Sequence, residues 1–296
     1  MARYLDPKND LPFKRIFGEH PDLLKSFLNA LMPLEEDQQI ESLEYLPAEQ
    51  VPENPGSKNS IVDVRCRDNR GRQFIVEMQM HWNNAFTNRM VFNASKAYVC
   101  QLQQGEKYDL LQPVYALAIL NEAFDGKTPE FYHHYRIVND KNTDEVIEGL
   151  EFVMVELPKF RAENWADRRM AVLWLRFLKE VEEDMRVVPD ELKENEYIRQ
   201  ALDMCEEGAF TEAELAAYDR YWDAIRVENT LISVSRKEGK AEGIAEGEAI
   251  GEAKGRAIGR EEREKLAEEL EKERKEREKE RAALLAEIAR LKQNGA

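Results

Sequence analysis

Apolar and polar residues repeat with two different periods along this chain. Residues 60–67 (SIVDVRCR) and 73–80 (QFIVEMQM) are apolar, β-branched, strand-like runs whose side chains fall on two faces with a period of two. The five residues between them, DNRGR, are polar and contain a glycine, which predicts a β-hairpin. A helical spacing precedes them: Phe13, Phe17, Leu23, Leu24, Phe27, Leu28 and Leu31 follow Asp10, a candidate N-cap, and Pro12, tolerated in a first turn. Residues 40–46 read as a strand, and residues 51–59, with two prolines and a glycine, as a loop. Phe86, Met90, Ala94, Ala97, Tyr98 and Leu102 predict a second helix, with Arg89, Asn93, Lys96 and Gln103 on another face. VYALAIL, residues 114–120, is apolar throughout and fits a strand buried on both faces. Residues 131–138 and 150–157 are further strand candidates, and helical patterns follow over 165–178, 191–205 and 212–234.

This order predicts an α/β fold, a mixed sheet flanked by helices. Three regions are expected: a core over residues 1–160, a helical subdomain over 161–236, and a tail over 237–296. In the tail Gly239, Gly243, Gly247, Gly251, Gly255 and Gly259 recur every four residues. Steps of four drift around an ideal helix, so the glycines make no straight seam and predict a marginal helix or spacer. From Arg260 on, a charged helix follows, with Leu270, Leu284, Ile288 and Leu291 on a heptad seam that Arg274, Arg277 and Arg281 interrupt. Self-association through a short coiled coil, giving a homo-oligomer, and a solvated single helix are both open.

If the hairpin closes symmetrically, Asp63 lies opposite Glu77. Both then share a face with Ile61, Arg65, Arg67, Gln73, Ile75 and Gln79. Val62, Val64, Cys66, Phe74, Val76, Met78 and Met80 form the opposite, core face. Two facing carboxylates repel. They are either solvated charges on an outer face or ligands of a divalent cation, and carboxylates with open water positions suit Mg²⁺ or Mn²⁺.

The series resembles the PD-(D/E)XK nuclease superfamily, within it the recombination-promoting nuclease and transposase branch. DPKNDLPFKRIFG (residues 6–18) is similar to that branch's N-terminal signature and IVEMQM (75–80) to its third motif. Residues 89–120, residues 152–160 and the glycine-rich tail resemble it too. The resemblance implies a restriction-endonuclease-like α-β-β-β-α-β core and metal-dependent hydrolysis of DNA that promotes recombination, in a mobile-element or defence setting. It implies that Asp63 and Glu77 hold Mg²⁺ or Mn²⁺ with the Met78 backbone carbonyl. Gln79 stands where the superfamily usually has lysine; glutamine cannot act as a base at neutral pH, but it can place a water. Asp10 is the acid of the N-terminal helix that often completes such sites, with helix capping as its competing role, and Lys14 lies one turn on. Arg89 and Lys96 can approach phosphates or simply face solvent.

Charge qualifies this picture. Of 296 residues, 43 are basic and 59 acidic, a net of −16; residues 237–296 hold 15 basic and 16 acidic side chains, so the acidity sits in the body. That balance opposes tight non-specific DNA binding, and any DNA contact needs a local basic surface and the cation. The competing class is therefore a nuclease-fold interaction protein with little turnover; cleavage of RNA or single strands is a third reading. Cys66, Cys100 and Cys205 are too scattered for a zinc site or a disulfide framework. The four histidines, His81 and the pair His133-His134 among them, show no metal-ligand spacing. Neither a G-x-S-x-G elbow nor a phosphate-binding P-loop occurs. With no apolar signal stretch and no 18-residue apolar run, a cytoplasmic protein without membrane contact is expected.

Overall fold

The computed structural model describes residues 3–50, 60–124, 126, 128–165, 167–183, 185 and 187–293; the loop expected over residues 51–59 lies outside them. The chain runs α1 (Asp10–Glu19), α2 (Pro21–Leu31), β1 (Leu43–Tyr45), β2 (Glu49–Gln50), β3 (Ser60–Ile61), β4 (Val64–Asp68), β5 (Gln73–Gln79), α3 (Asn84–Val99), β6 (Val114–Leu120), β7 (Tyr132–Asn139) and β8 (Asn142–Glu156). Then come α4 (Arg169–Glu180), α5 (Asp190–Glu194), α6 (Glu196–Cys205) and α7 (Glu212–Gln293). One six-stranded sheet has the order β1-β4-β5-β6-β8-β7, and β2 with β3 forms a separate two-stranded ribbon. β6 pairs parallel with β5 on one side and β8 on the other; the remaining pairs are antiparallel. This is the mixed sheet that the patterning predicts.

Several expectations need correction. The N-terminal helix is two helices, because Pro21 cannot continue α1; His20 turns extended and Pro21 opens α2. Asn9, not Asp10, is the N-cap, its side chain accepting the Leu11 N–H at 2.9 Å. The strand expected over 40–46 is only Leu43–Tyr45. The strand expected over 60–67 breaks at Val62 and Asp63, which belong to neither β3 nor β4. The break moves Val62 off the core face assigned to it: it packs with Ile75, on the side of the sheet opposite Val64 and Cys66.

Helices cover both faces of the sheet. On one, Val64, Cys66, Phe74, Val76, Leu117, Ile119 and Val153 join residues of α1, α2, α4 and α6 in one core cluster. On the other, Phe86, Met90, Ala94 and Ala97 of α3 lie over Ile75, Val114, Ala116, Ala118 and Leu120. The small side chains at 116 and 118 let α3 approach closely. All seven residues of β6 are buried, as its unbroken apolar run requires.

The β4–β5 hairpin has the symmetric register, with Val64 opposite Val76 and Arg67 opposite Gln73. Its turn is clamped by Asp68, whose Oδ1 accepts the N–H groups of Arg70 (3.0 Å) and Arg72 (2.9 Å) while Oδ2 accepts Arg72 Nε at 2.7 Å. Gly71 has φ +86°, a conformation other residues rarely adopt, and a Cβ there would sit 3.1 Å from Gln112.

Much of the N-terminal signature is structural. Asp6, Lys8 and Asn9 are buried. Lys8 Nζ pairs with Asp6 Oδ1 at 2.9 Å and donates to the Leu178 carbonyl at 3.2 Å. Tyr218, on α7 and itself buried, accepts the Asp6 N–H on its hydroxyl at 3.0 Å. Residues up to Trp222 form one compact unit and Asp223–Ala296 a second. In the second unit α7 is helical through the glycine repeat, and five of the six glycines have open space where a Cβ would go. Leu270 and Leu284 of the heptad seam are exposed; the side chains of Ile288 and Leu291 lie outside the described residues.

Tyr218→Phe should cost about 1–3 kcal/mol, because it leaves the Asp6 N–H without an acceptor. A stop codon after Arg236 should leave the urea midpoint of the first unit within error of the full-length value. Urea denaturation followed by tryptophan fluorescence checks both.

Candidate active site

The break in β4 builds the site. Backbone groups of residues 64, 66 and 68 face β5, since Asp68 N–H donates to Arg72 O (3.0 Å) while Arg65 O turns the other way, accepting Leu46 N–H (2.8 Å). Val62 would be next in that ladder, opposite Met78. Its N–H instead donates to Ala48 O at 3.2 Å. Met78 therefore lacks its ladder partner, and the Asp63 carboxylate takes the vacant place: Met78 N–H donates to Asp63 Oδ2 at 2.7 Å. The Met78 carbonyl, deprived of the Val62 N–H, is left at the same break.

Glu77 lies on the face covered by α3, not on a solvated outer face; it is 7% exposed. Asn93 Nδ2, from α3, donates to Glu77 Oε1 at 2.9 Å. Arg89, one turn earlier, stands 3.5 Å from Glu77 Oε2 and donates to Gln79 Oε1 at 2.6 Å. The other end of the Gln79 amide donates to the His81 carbonyl at 2.5 Å. The amide oxygen thus faces Arg89, and the amide nitrogen faces the backbone. His81 is buried, its Nδ1 3.3 Å from Glu122 Oε1, and Glu122 Oε2 accepts the Trp82 N–H at 2.9 Å. This pairing ties the end of β5 to the end of β6.

The surroundings of Asp63 disfavour its charged form. Burial pushes its carboxyl up to about 6; the Met78 N–H opposes this, Glu77 and Asp10 push further up, and Lys14 pulls down. Asp63 thus lies within electrostatic reach of Glu77, Asp10 and Lys14. Asp10 is half-exposed and paired with Lys14, Oδ1 to Nζ 2.8 Å. Lys96 lies in the last turn of α3, two turns beyond Arg89.

The buried carboxylate of Glu156 shows the contrast. Glu156 at the end of β8 is fully buried and faces Lys159 Nζ (2.6 Å), His133 Nε2 (3.0 Å) and the Phe124 N–H (2.6 Å). Glu156 has a counter-charge in Lys159; Asp63 has a surplus of negative neighbours. A carboxylate perturbed by burial and like-charged neighbours is a candidate functional group. It also fits a divalent cation: Asp63, Glu77 and the Met78 carbonyl supply hard oxygen donors, few enough for a hydrated Mg²⁺ or Mn²⁺. Among the described residues no third His, Cys, Asp or Glu completes a ligand cluster.

Asn93 and Glu122 carry no role in the sequence reading. Asn93 shares a helical face with Arg89, but only the packing of α3 on β5 shows that it reaches Glu77. Glu122 follows the buried strand β6 at its carboxyl end, where sites in parallel sheets gather.

Asp63 opposes folding when ionised. A carboxyl raised above its unfolded value favours the native state below about pH 4, and that contribution is lost as pH rises through about 6. In EDTA, Asp63→Asn should therefore stabilise the protein by about 2 kcal/mol at pH 8, because Asn can still accept the Met78 N–H. The gain should vanish near pH 4, which chemical denaturation at the two pH values measures.

A family model described as PD-(D/E)XK nuclease family transposase matches residues 7–233. No curated protein matches the chain, and no solved structure does. The match takes in both units' junction, every residue of the candidate site and the whole six-stranded sheet. The chain belongs to the PD-(D/E)XK nuclease family transposases.

Proposed function

We propose that this protein is a metal-dependent DNA endonuclease that hydrolyses phosphodiester bonds and promotes recombination, in a mobile-element or defence setting. The observation that carries this reading is the break in β4, which places the uncompensated Asp63 carboxylate on the Met78 amide beside Glu77. Family membership adds a nuclease-like fold and DNA as the substrate class.

A bound Mg²⁺ or Mn²⁺ would polarise the scissile phosphate and make a water more acidic. Asp63 and Glu77 hold the charge for that ion, with the Met78 carbonyl as a neutral donor. Asn93 fixes the Glu77 carboxylate, leaving Oε2 turned toward Arg89. Gln79 cannot take a proton, but its oxygen can accept a hydrogen bond from the attacking water and orient it. No lysine stands at this position, so slow turnover is expected. Asp10 adds negative charge without a direct hydrogen bond to Asp63 and is partly neutralised by Lys14, so its role is to tune the site. The tail serves assembly or regulation, apart from the chemistry.

A rival reading keeps the fold as an interaction module without turnover. Gln79 and the acidic body favour it. The two readings part in one assay, incubation of plasmid DNA with Mg²⁺, Mn²⁺, Ca²⁺ or EDTA. Nicking or linearisation with Mg²⁺ or Mn²⁺ alone supports the nuclease, and no cut under any condition supports the module.

Because Glu77 is buried and bonded to Asn93, Glu77→Gln tests it with less structural damage than alanine. Asp63→Asn and Glu77→Gln should each reduce cleavage by about 10³-fold or more, as loss of a metal ligand does. Gln79→Ala should reduce the rate about 10–100-fold while Mn²⁺ affinity stays the same, consistent with loss of a positioned water. Cleavage at the wild-type rate by Asp63→Asn would remove Asp63 from the site.

A further inference from the structure

We infer that Arg89 is the built-in counter-ion of this site, exchanging places with the divalent cation and then binding the phosphate of the nucleic acid. The inference rests on the metal-dependent reading above and adds a residue and a role to it. Three observations converge. First, one guanidinium nitrogen of Arg89 addresses two oxygens at once, Gln79 Oε1 at 2.6 Å and Glu77 Oε2 at 3.5 Å. Those are the oxygens that remain after Asn93 has taken Glu77 Oε1 and the His81 carbonyl has taken the Gln79 nitrogen. A cation drawn to Glu77 would need the space the guanidinium fills.

Second, the two partners differ in freedom. Glu77 is fixed from behind by the buried Asn93, whereas the Arg89 side chain is 49% exposed against 9% for Glu77. Arg89 can therefore leave at small cost: an ion pair open to water is worth little, and a long side chain regains rotamer freedom on release. Its guanidinium also rests over the Phe86 ring, 5.0 Å from the centroid, so its stem has a support from which to swing.

Third, the body is strongly acidic, and a DNA phosphate needs a positive group at the point of reaction. A guanidinium displaced from Glu77 remains on α3 beside the site, and its fork of N–H donors matches a phosphate's oxygens. Arg89 thus limits repulsion between Glu77 and its neighbours before the cation arrives. Afterwards it supplies a phosphate contact that the acidic surface otherwise lacks. It acts as a positioning residue, touching substrate only after the exchange.

The test uses the full-length protein and two binding measurements without turnover. Mn²⁺ binding is followed by electron paramagnetic resonance in the absence of DNA. Binding of a DNA duplex is followed by fluorescence anisotropy in Ca²⁺ over a range of salt. Wild type, Arg89→Ala, Arg89→Lys and Asp63→Asn are compared, with thermal melts to confirm folding. Arg89→Ala should bind Mn²⁺ about fivefold more tightly, since an exposed ionic competitor is gone. It should bind DNA about tenfold more weakly, with a salt slope shallower by about one ion. Arg89→Lys should keep most of the salt slope. Unchanged or weaker Mn²⁺ binding by Arg89→Ala, with wild-type binding lost in Asp63→Asn, overturns the exchange and leaves the metal site standing. Tighter Mn²⁺ binding with unchanged DNA binding overturns the phosphate role. A wild type that binds no Mn²⁺ overturns both the inference and the reading beneath it.

Discussion

The register of two antiparallel strands governs this molecule, and the carboxylate of Asp68 fixes that register. By holding the N–H groups of Arg70 and Arg72 and the Arg72 side chain, Asp68 closes the turn in one way. A slip of one residue would turn every side chain of β5 over. Glu77 and Gln79 would then point into the large core against α1, α2 and α4, and Phe74 and Val76 toward α3. The clamp is itself buried, so its hydrogen bonds form away from competing water. From a fixed β5 follow the parallel pairing with β6 and the seat of α3 on the far face.

The second constraint is the opposite of a clamp. β4 stops at the point where continuing would pair Val62 with Met78. Diverting Val62 to Ala48 forfeits ladder hydrogen bonds but frees a backbone amide for a side-chain carboxylate. Regular strands offer no such opening, because their N–H and C=O groups are already used. Irregular backbone and misplaced charge thus coincide at one residue, Asp63, whereas the buried carboxylate of Glu156 faces the Lys159 ammonium.

Much of this was legible beforehand, for identifiable reasons. The register could be read because the loop is short and polar and the flanking runs alternate. β6 could be read because seven apolar residues between Pro113 and Asn121 leave few options. The strand break could not, since Val62 to Arg67 alternate apolar and polar straight through it; the Val62 to Ala48 hydrogen bond is a tertiary fact. For the same reason the face of Glu77 reads as solvated, since α3 mixes polar residues among its apolar ones and its covering side emerges only on docking. Asn9 took the cap expected of Asp10 because the two are adjacent and chemically alike as caps. Asn93 and Glu122 stayed silent because one asparagine on a helix face and one glutamate after a strand carry no pattern.

The glycines of α7 have a further consequence for local stability. No neighbour fills the space beside five of them, so packing does not explain their small size. Each weakens the helix by about 1 kcal/mol relative to alanine, and nothing buried compensates. The free energy of opening is therefore uneven along the helix and lowered over residues 239–259 relative to an alanine-rich stretch. Amide protons in that window would exchange with solvent ahead of those near Tyr218, which is buried. The repeat sets a weak link between two stronger stretches of the same helix, so that opening in one need not propagate to the other.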